Sequence, residues 1–360
     1  MGRRYLFYVA HSYAYAILFP IEEEIARRGG VSAWFVEQGC PTEALGSRLR
    51  IEDFAQVEQF DPVAVFAPGN YIPDFFPGVK VEVFHGYPIN KRADRHDDHF
   101  TIRDWFDLYC TQGPSSTAPF EELARRLGTF RVRETGWAKS DSYIRAAAEM
   151  PATPEDAERT NSCRPTILYS STFTRSLTST SVLAEEVERM VASGGWNWIF
   201  MFHPKLDDEQ VLAHYRSLAE RYDNAEYLGN TFEMSAMQRA DVMLCDSSSI
   251  IMEFMLLDKP VVTFRNSMPG AHLLNVENVA DVEPALEKAL ARPEELMSAL
   301  RQWRDNHEAH RDGLCAARIL DAVDELIADG GSKALRPKPL NLVRKLKLRK
   351  KLGYPLFKKL

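Results

Sequence analysis

Residues 240–264, ADVMLCDSSSIIMEFMLLDKPVVTF, restrict the fold of this chain more than any other stretch. An apolar run at 242–245 breaks into Asp246, Ser247, Ser248 and Ser249. A helical apolar pattern follows over 250–257, and Lys259-Pro260 leads into a second β-rich run at 261–264. The order strand, polar turn, helix, strand predicts a βαβ unit. The serines fall where the first N–H groups of a helix lack intrahelical partners, a place suited to a phosphate. The helix dipole contributes roughly 0.3–1 kcal/mol to an exposed anion there. Glu253, one turn into the helix, is placed to accept hydrogen bonds from ribose hydroxyls. The competing reading is a simple helix cap.

The same pattern runs through the rest of the chain. A β-rich run at 5–9, a helical pattern that stops at Gly29-Gly30 and a second strand at 31–36 imply a parallel sheet from the outset. The first turn, AHSYAY, has no GxGxxG, which speaks against a dinucleotide oxidoreductase. Further strands are predicted at 63–66, 80–84, 106–111 and 130–134, and a helix over 141–150. A polar, proline-rich stretch from Pro151 then marks a domain boundary. Beyond it, strands at 166–170, 196–202 and 225–228 alternate with helices at 179–192, 211–221 and 232–239. From Val282 onward the pattern is helical, over 282–291, 293–306 and 313–328. The expected architecture is α/β, with two doubly wound Rossmann-like domains, 1–155 and 156–330, facing a cleft. A helical C-terminus and a basic tail, 331–360, complete it.

Composition is that of a globular domain pair, 45% hydrophobic and 26% charged. The formal charge of −7 conceals an asymmetry: from Lys333 onward there are eleven basic residues and no acids, leaving 33 basic against 51 acidic residues before it. In that tail Leu342, Leu346, Leu352, Leu356 and Phe357 alternate with Lys and Arg, as in a basic amphipathic segment on an anionic membrane surface. The acidic body argues against nucleic acid as partner. Five scattered cysteines without zinc spacing, no apolar run of membrane-spanning length and no signal peptide fit a cytoplasmic protein.

Three features each directly follow a predicted strand: His85-Gly86, His203-Pro204-Lys205, and the turn Asp246 to Ser249. In open α/β sheets that edge is the ligand crevice. A glycine after His85 lets the backbone turn and approach a ligand. Two histidines with anion-binding hydroxyls suit phosphoryl chemistry, one imidazole taking a proton and the other stabilising diphosphate charge. For either histidine alone, holding a loop by one hydrogen bond is the competing reading. His96-Asp97-Asp98-His99 looks like a metal cluster, but no third element supports it, and no metal or other cofactor is expected.

Five segments in order carry a family resemblance: VEVFHGYPINK from Val81, ETGWAKSD from Glu134, ILYSSTFTRS from Ile167, MFHPK from Met201, and the 240–264 stretch itself. Together they resemble the CDP-glycerol glycerophosphotransferases that prime and polymerise teichoic acids, whose catalytic domain has a GT-B fold. The resemblance implies that His85 is the general base activating an acceptor hydroxyl for attack on the β-phosphorus of CDP-glycerol. It makes His203 the group that stabilises the diphosphate and the CMP leaving group. Asp246, Ser248, Ser249, Lys205 and Gly86 become donor phosphate or nucleotide contacts, with Glu253, at a usual aspartate position, on the ribose. Tyr87 stands where threonine is usual, Trp137-Ala138-Lys139-Ser140 replaces Tyr-Pro-Arg-Asn, and Ser247 replaces tyrosine.

The implied activity is transfer of glycerol phosphate, or a related alditol phosphate, from a CDP-linked donor to a hydroxyl of a cell-surface glycan or lipid-linked precursor. The protein would work in the cytoplasm, peripherally on the inner face of the membrane. The alternatives are a GT-B glycosyltransferase, a UDP-sugar 2-epimerase, or a catalytically dead nucleotide- or membrane-binding partner in a capsule-assembly complex. The intact His85 and His203 speak against the last.

Overall fold

The computed structural model describes residues 2–87, 99–149, 164–203, 205–229 and 234–355. They form two compact units. The first takes in residues 2–87, 99–145 and 306–355, and the second the described residues from 146 to 305.

In the first unit, β1 (Arg4–Val9), α1 (Ala14–Arg27), β2 (Val31–Val36), α2 (Phe54–Phe60), β3 (Ala64–Ala67), β4 (Val79–Glu82), β5 (Leu108–Thr111), α3 (Pro114–Leu127), β6 (Arg131–Glu134) and α4 (Ala138–Glu149) follow one another. All six strands are parallel in the order β2-β1-β3-β4-β5-β6, with Phe7 opposite Trp34 and Phe66 opposite Val81. Every residue of β3, β4 and β5 is buried, as expected of parallel strands covered on both faces.

The second unit repeats the plan with β7 (Thr166–Tyr169), α5 (Ala184–Ser193), β8 (Asn197–Met201), α6 (Glu209–Arg221), β9 (Ala225–Gly229), α7 (Met234–Arg239), β10 (Val242–Cys245), α8 (Ile250–Met255), β11 (Val261–Phe264), β12 (Leu274–Val276), α9 (Val282–Leu290) and α10 (Glu294–His307). Its parallel order is β12-β11-β10-β7-β8-β9. A core of Ile167, Tyr169, Trp198, Phe200, Tyr215 and Leu244 lies under it.

The chain then returns to the first unit through α11 (Cys315–Ala328) and α12 (Leu342–Lys351). The expected boundary at 330 therefore moves to 305/306. Ile319, Leu320, Val323 and Leu326 of α11 are fully buried in the same core as Phe7, Ile17 and Val81. The polar stretch after Pro151, expected to part the domains, lies outside the described residues, as does the cluster from His96 to Asp98. Among the described residues no group of three His, Cys, Asp or Glu is placed to hold a metal, and no helix is long and apolar enough to cross a membrane.

The tail is the largest departure from the sequence reading. The segment expected to form a separate piece, free to lie on a membrane, is partly built into the first unit. Leu348, Arg349 and Tyr354 are buried, the Tyr354 ring stacks on Phe75 at 3.8 Å, and the Arg349 guanidinium binds Asp74 at 3.0 Å. Lys351 pairs with Glu37 at 2.5 Å and Lys338 with Asp107. An acidic body and a basic tail attract each other, and part of the charge asymmetry is spent within the fold. Leu340, Leu342 and Val343 stay exposed, beside exposed Arg344, Lys347 and Lys350.

Candidate active site

Strand order places the functional loops. In the first sheet the order in which strands are added reverses between β1 and β3, and in the second between β7 and β10. Such switch points open a crevice at the carboxyl ends of the strands.

In the first unit the strand expected to run to Phe84 stops at Glu82. Phe84 adopts a left-handed conformation, φ +50°, which costs a non-glycine residue energy and persists only when its surroundings impose it. Here they do. The Phe84 amide donates to Glu82 Oε1 at 3.2 Å, and the Trp137 indole donates to the Phe84 carbonyl at 3.1 Å. Two residues on, the Gln112 side-chain amide donates to the Gly86 carbonyl at 2.8 Å, and beyond it the Tyr87 hydroxyl donates to Glu308 at 2.6 Å. His85, exposed at the top of this clamped turn, has its Nδ1 at 3.0 Å from the Pro68 carbonyl. A carbonyl only accepts, so Nδ1 carries the hydrogen and, in the neutral ring, Nε2 is the acceptor nitrogen.

Burial pushes Glu82 well above the usual carboxylate range and raises Glu308 to about 8. Glu308 is 1% exposed and also accepts from the Trp137 amide. Gly136, at φ +76°, leaves room for it, since a Cβ there would lie 2.6 Å from Glu308 Oε1. This explains the glycine of the TGW segment. Sequence reasoning missed Gln112 and Glu308 altogether. Glu82 had a signal, an acid at the end of an apolar strand.

In the second unit Asp246 is fully buried. Its carboxylate accepts from Ser171 Oγ at 2.6 Å, the Thr172 amide at 2.8 Å, Ser179 N and Oγ at 3.0 and 3.1 Å, and the Ser247 amide at 2.7 Å. Asp246, expected to contact the donor, instead commits its carboxylate to partners inside the protein. Five donors occupy it, and it ties the loop after β7 to the loop after β10. The same bonds explain why the helix expected from 179 begins at Ala184: Ser179 turns inward to Asp246.

The outward groups of the turn are Ser248, half-buried, and Ser249, exposed. Neither hydroxyl makes a hydrogen bond to another described residue. Ser249 occupies the N-cap without a side-chain cap bond, so the simple-cap reading is not what its hydroxyl does. The helix is shorter than expected, six residues, with half-buried Glu253 in its first turn.

His203 lies at the start of the loop after β8, its ring 4.4 Å from that of Phe173, which the Asp246-held loop carries. The Lys205 amide donates to His203 Nδ1 at 3.0 Å. An amide N–H only donates, so the neutral ring carries its hydrogen on Nε2 and presents a donor. The two histidines thus have opposite polarity. The Lys205 ammonium lies 5.6 Å from the Phe173 ring centroid, on the same loop pair.

Two doubly wound sheets, each with a histidine loop at its carboxyl edge, make up a GT-B type of fold. A sequence model of the CDP-glycerol:poly(glycerophosphate) glycerophosphotransferases matches residues 78–325, and the chain belongs to that family. Among solved structures it is similar to the wall teichoic acid polymerase TagF, with 14% identity over 91% of this chain and 90% of that one and a TM-score of 0.63. It is also similar to a UDP-N-acetylglucosamine 2-epimerase from Listeria monocytogenes, with 13% identity, 91% and 98% coverage and a TM-score of 0.63. S. aureus MnaA with UDP is a third, with 13% identity, 94% and 99% coverage and a TM-score of 0.62. These likenesses show the fold. No curated protein matches the chain by sequence.

Proposed function

We propose that the protein transfers glycerol phosphate, or a related alditol phosphate, from a CDP-linked donor to a hydroxyl of a cell-surface glycan or its lipid-linked precursor. The observation that carries this reading is the opposite hydrogen-bond polarity of His85 and His203. His85 Nε2 takes the proton of the acceptor hydroxyl as its oxygen attacks the β-phosphorus of CDP-glycerol. The bond from that phosphorus to the bridging oxygen breaks, and CMP leaves with the electron pair. His203 Nε2–H, with Lys205, stabilises the charge growing on the departing phosphate. Ser248 and Ser249 hydroxyls hold the diphosphate, with the Gly86 backbone as a further close contact, and Glu253 takes the ribose. Family membership and a TagF structure soaked with CDPG support the donor class.

The site of action in this reading is the cytoplasm, on the inner face of the membrane. Exposed Leu340, Leu342 and Val343 among Arg344, Lys347 and Lys350 support contact with anionic lipid. CMP release from CDP-glycerol, measured with and without a teichoic acid precursor, tests the proposal. Release of UDP from a UDP-sugar instead would move the protein to the glycosyltransferase or 2-epimerase class.

A further inference from the structure

The switch point of the first sheet holds a cavity that the reaction above leaves without a ligand. Its walls come from the loop after β1, with His11 and Tyr13, and from the loop after β3, with Pro68, Asn70 and Tyr71; Tyr8 forms the floor. It adjoins the catalytic base. The Tyr13 ring lies 5.2 Å from that of His85, the Pro68 carbonyl holds His85 Nδ1, and Asn70 also lines the neighbouring cavity that contains His85.

We infer that this cavity is a subsite for an uncharged sugar residue of the acceptor, the residue whose hydroxyl reaches His85. The inference rests on the role of His85 proposed above. Three observations give the ligand class. First, Tyr13 is 44% exposed, leaving an aromatic face open beside polar His11 and Asn70, the combination that packs against the C–H face of a sugar while binding its hydroxyls. Secondly, the Tyr13 hydroxyl at the cavity wall is a donor, as any tyrosine hydroxyl is at neutral pH, and burial and Glu82 only strengthen its hold on the proton.

Thirdly, the cavity offers an anion no unpaired cation among the described residues. No lysine or arginine lines it among the described residues. Behind the floor, Glu37 accepts from the hydroxyls of both Tyr8 and Tyr71. Lys351, which reaches the wall at 2.8 Å from the Tyr71 hydroxyl, is already paired with Glu37. A phosphate-bearing polymer end placed here would find Lys351, the ammonium nearest the wall, already neutralised by Glu37. The subsite therefore selects a neutral glycan end over a poly(glycerol phosphate) end, and the basic tail helix supports its wall.

The test is saturation-transfer NMR on the full chain without donor, so its outcome does not depend on turnover. The probes are the methyl glycosides of glucose, galactose, mannose and N-acetylglucosamine, each against sn-glycerol 3-phosphate. At least one glycoside receives saturation, and Tyr13→Ala and Asn70→Ala each weaken its binding about tenfold, while glycerol phosphate shows no Tyr13-dependent signal. Circular dichroism confirms that both variants are folded. Binding of no glycoside, or Tyr13-dependent binding of glycerol phosphate, overturns the inference. Failure of wild-type protein to release CMP from CDP-glycerol, assayed separately on the same sample, would count against the transferase reading and leave the glycoside result standing.

Discussion

The hydroxyl of Tyr87 lies 2.6 Å from the carboxylate of Glu308, 221 residues further along the chain. The pair explains why a tyrosine can occupy a position where the family usually has threonine: its longer reach finds a buried acceptor on the segment that returns to the first unit. Tyr87→Phe leaves that acceptor with the Trp137 and His310 amides and the Cys315 thiol, and loosens the turn that presents His85. The expected effect is a fall in kcat of roughly tenfold or more, with donor KM little changed, read by steady-state CMP release.

Glu308 also gives stability a pH dependence. Burial first, against the opposing hydrogen bonds from Tyr87 and Trp137, raises its pKa from 4.5 to about 8. The folded state therefore holds this proton longer than the unfolded chain. The stability involved is complete below about pH 4.5 and is lost as pH rises through about 8, at about 1.4 kcal/mol per unit of displacement. Glu308→Gln removes the slope. Melting temperatures of the two proteins between pH 5 and 9 should converge or cross in favour of the glutamine variant toward the alkaline end.

Asp246 and its neighbouring serines should separate cleanly. Asp246→Ala strands five donors in the interior and should cost roughly 3–5 kcal/mol in denaturant unfolding. Ser248→Ala and Ser249→Ala remove hydroxyls that bind no other described residue. They should leave the unfolding midpoint unchanged and weaken CDP binding by calorimetry.

The tail divides in the same way. Arg349→Ala breaks a buried guanidinium contact to Asp74 and unpacks the Phe75 and Tyr354 rings, so it should destabilise by roughly 3–5 kcal/mol. Replacing Leu340, Leu342 and Val343 by serine touches only exposed groups. It should lower binding to anionic vesicles at low salt without moving the melting temperature. Unchanged vesicle binding would remove the support for membrane contact.

Much of this architecture was legible in the sequence because parallel strands buried on both faces read as apolar runs: 242–245 and 261–264 match β10 and β11 to the residue. The histidines and serine turn were legible because each follows such a run. What escaped depends on contacts distant in sequence. Nothing near Glu308 or Gln112 signals that they brace the His85 turn, and Asp246 looked like a ligand because an aspartate at a strand end can face either way. Short β12 and α2 lack a long enough apolar period to be seen. The tail's alternation of leucine and lysine reads equally as a membrane face or as a helix laid on an acidic domain, and the ion pairs with Asp74, Glu37 and Asp107 decide for the second over part of its length.

The central claim is that the Pro68 carbonyl fixes His85 as the base that deprotonates the acceptor. Its most direct test is single-turnover CMP formation from CDP-glycerol, with acceptor present, in wild type and in His85→Ala. The account predicts a loss of about 10²–10⁴-fold in the rate of CMP formation with unchanged CDP affinity. CMP formation by His85→Ala at the wild-type rate would contradict it.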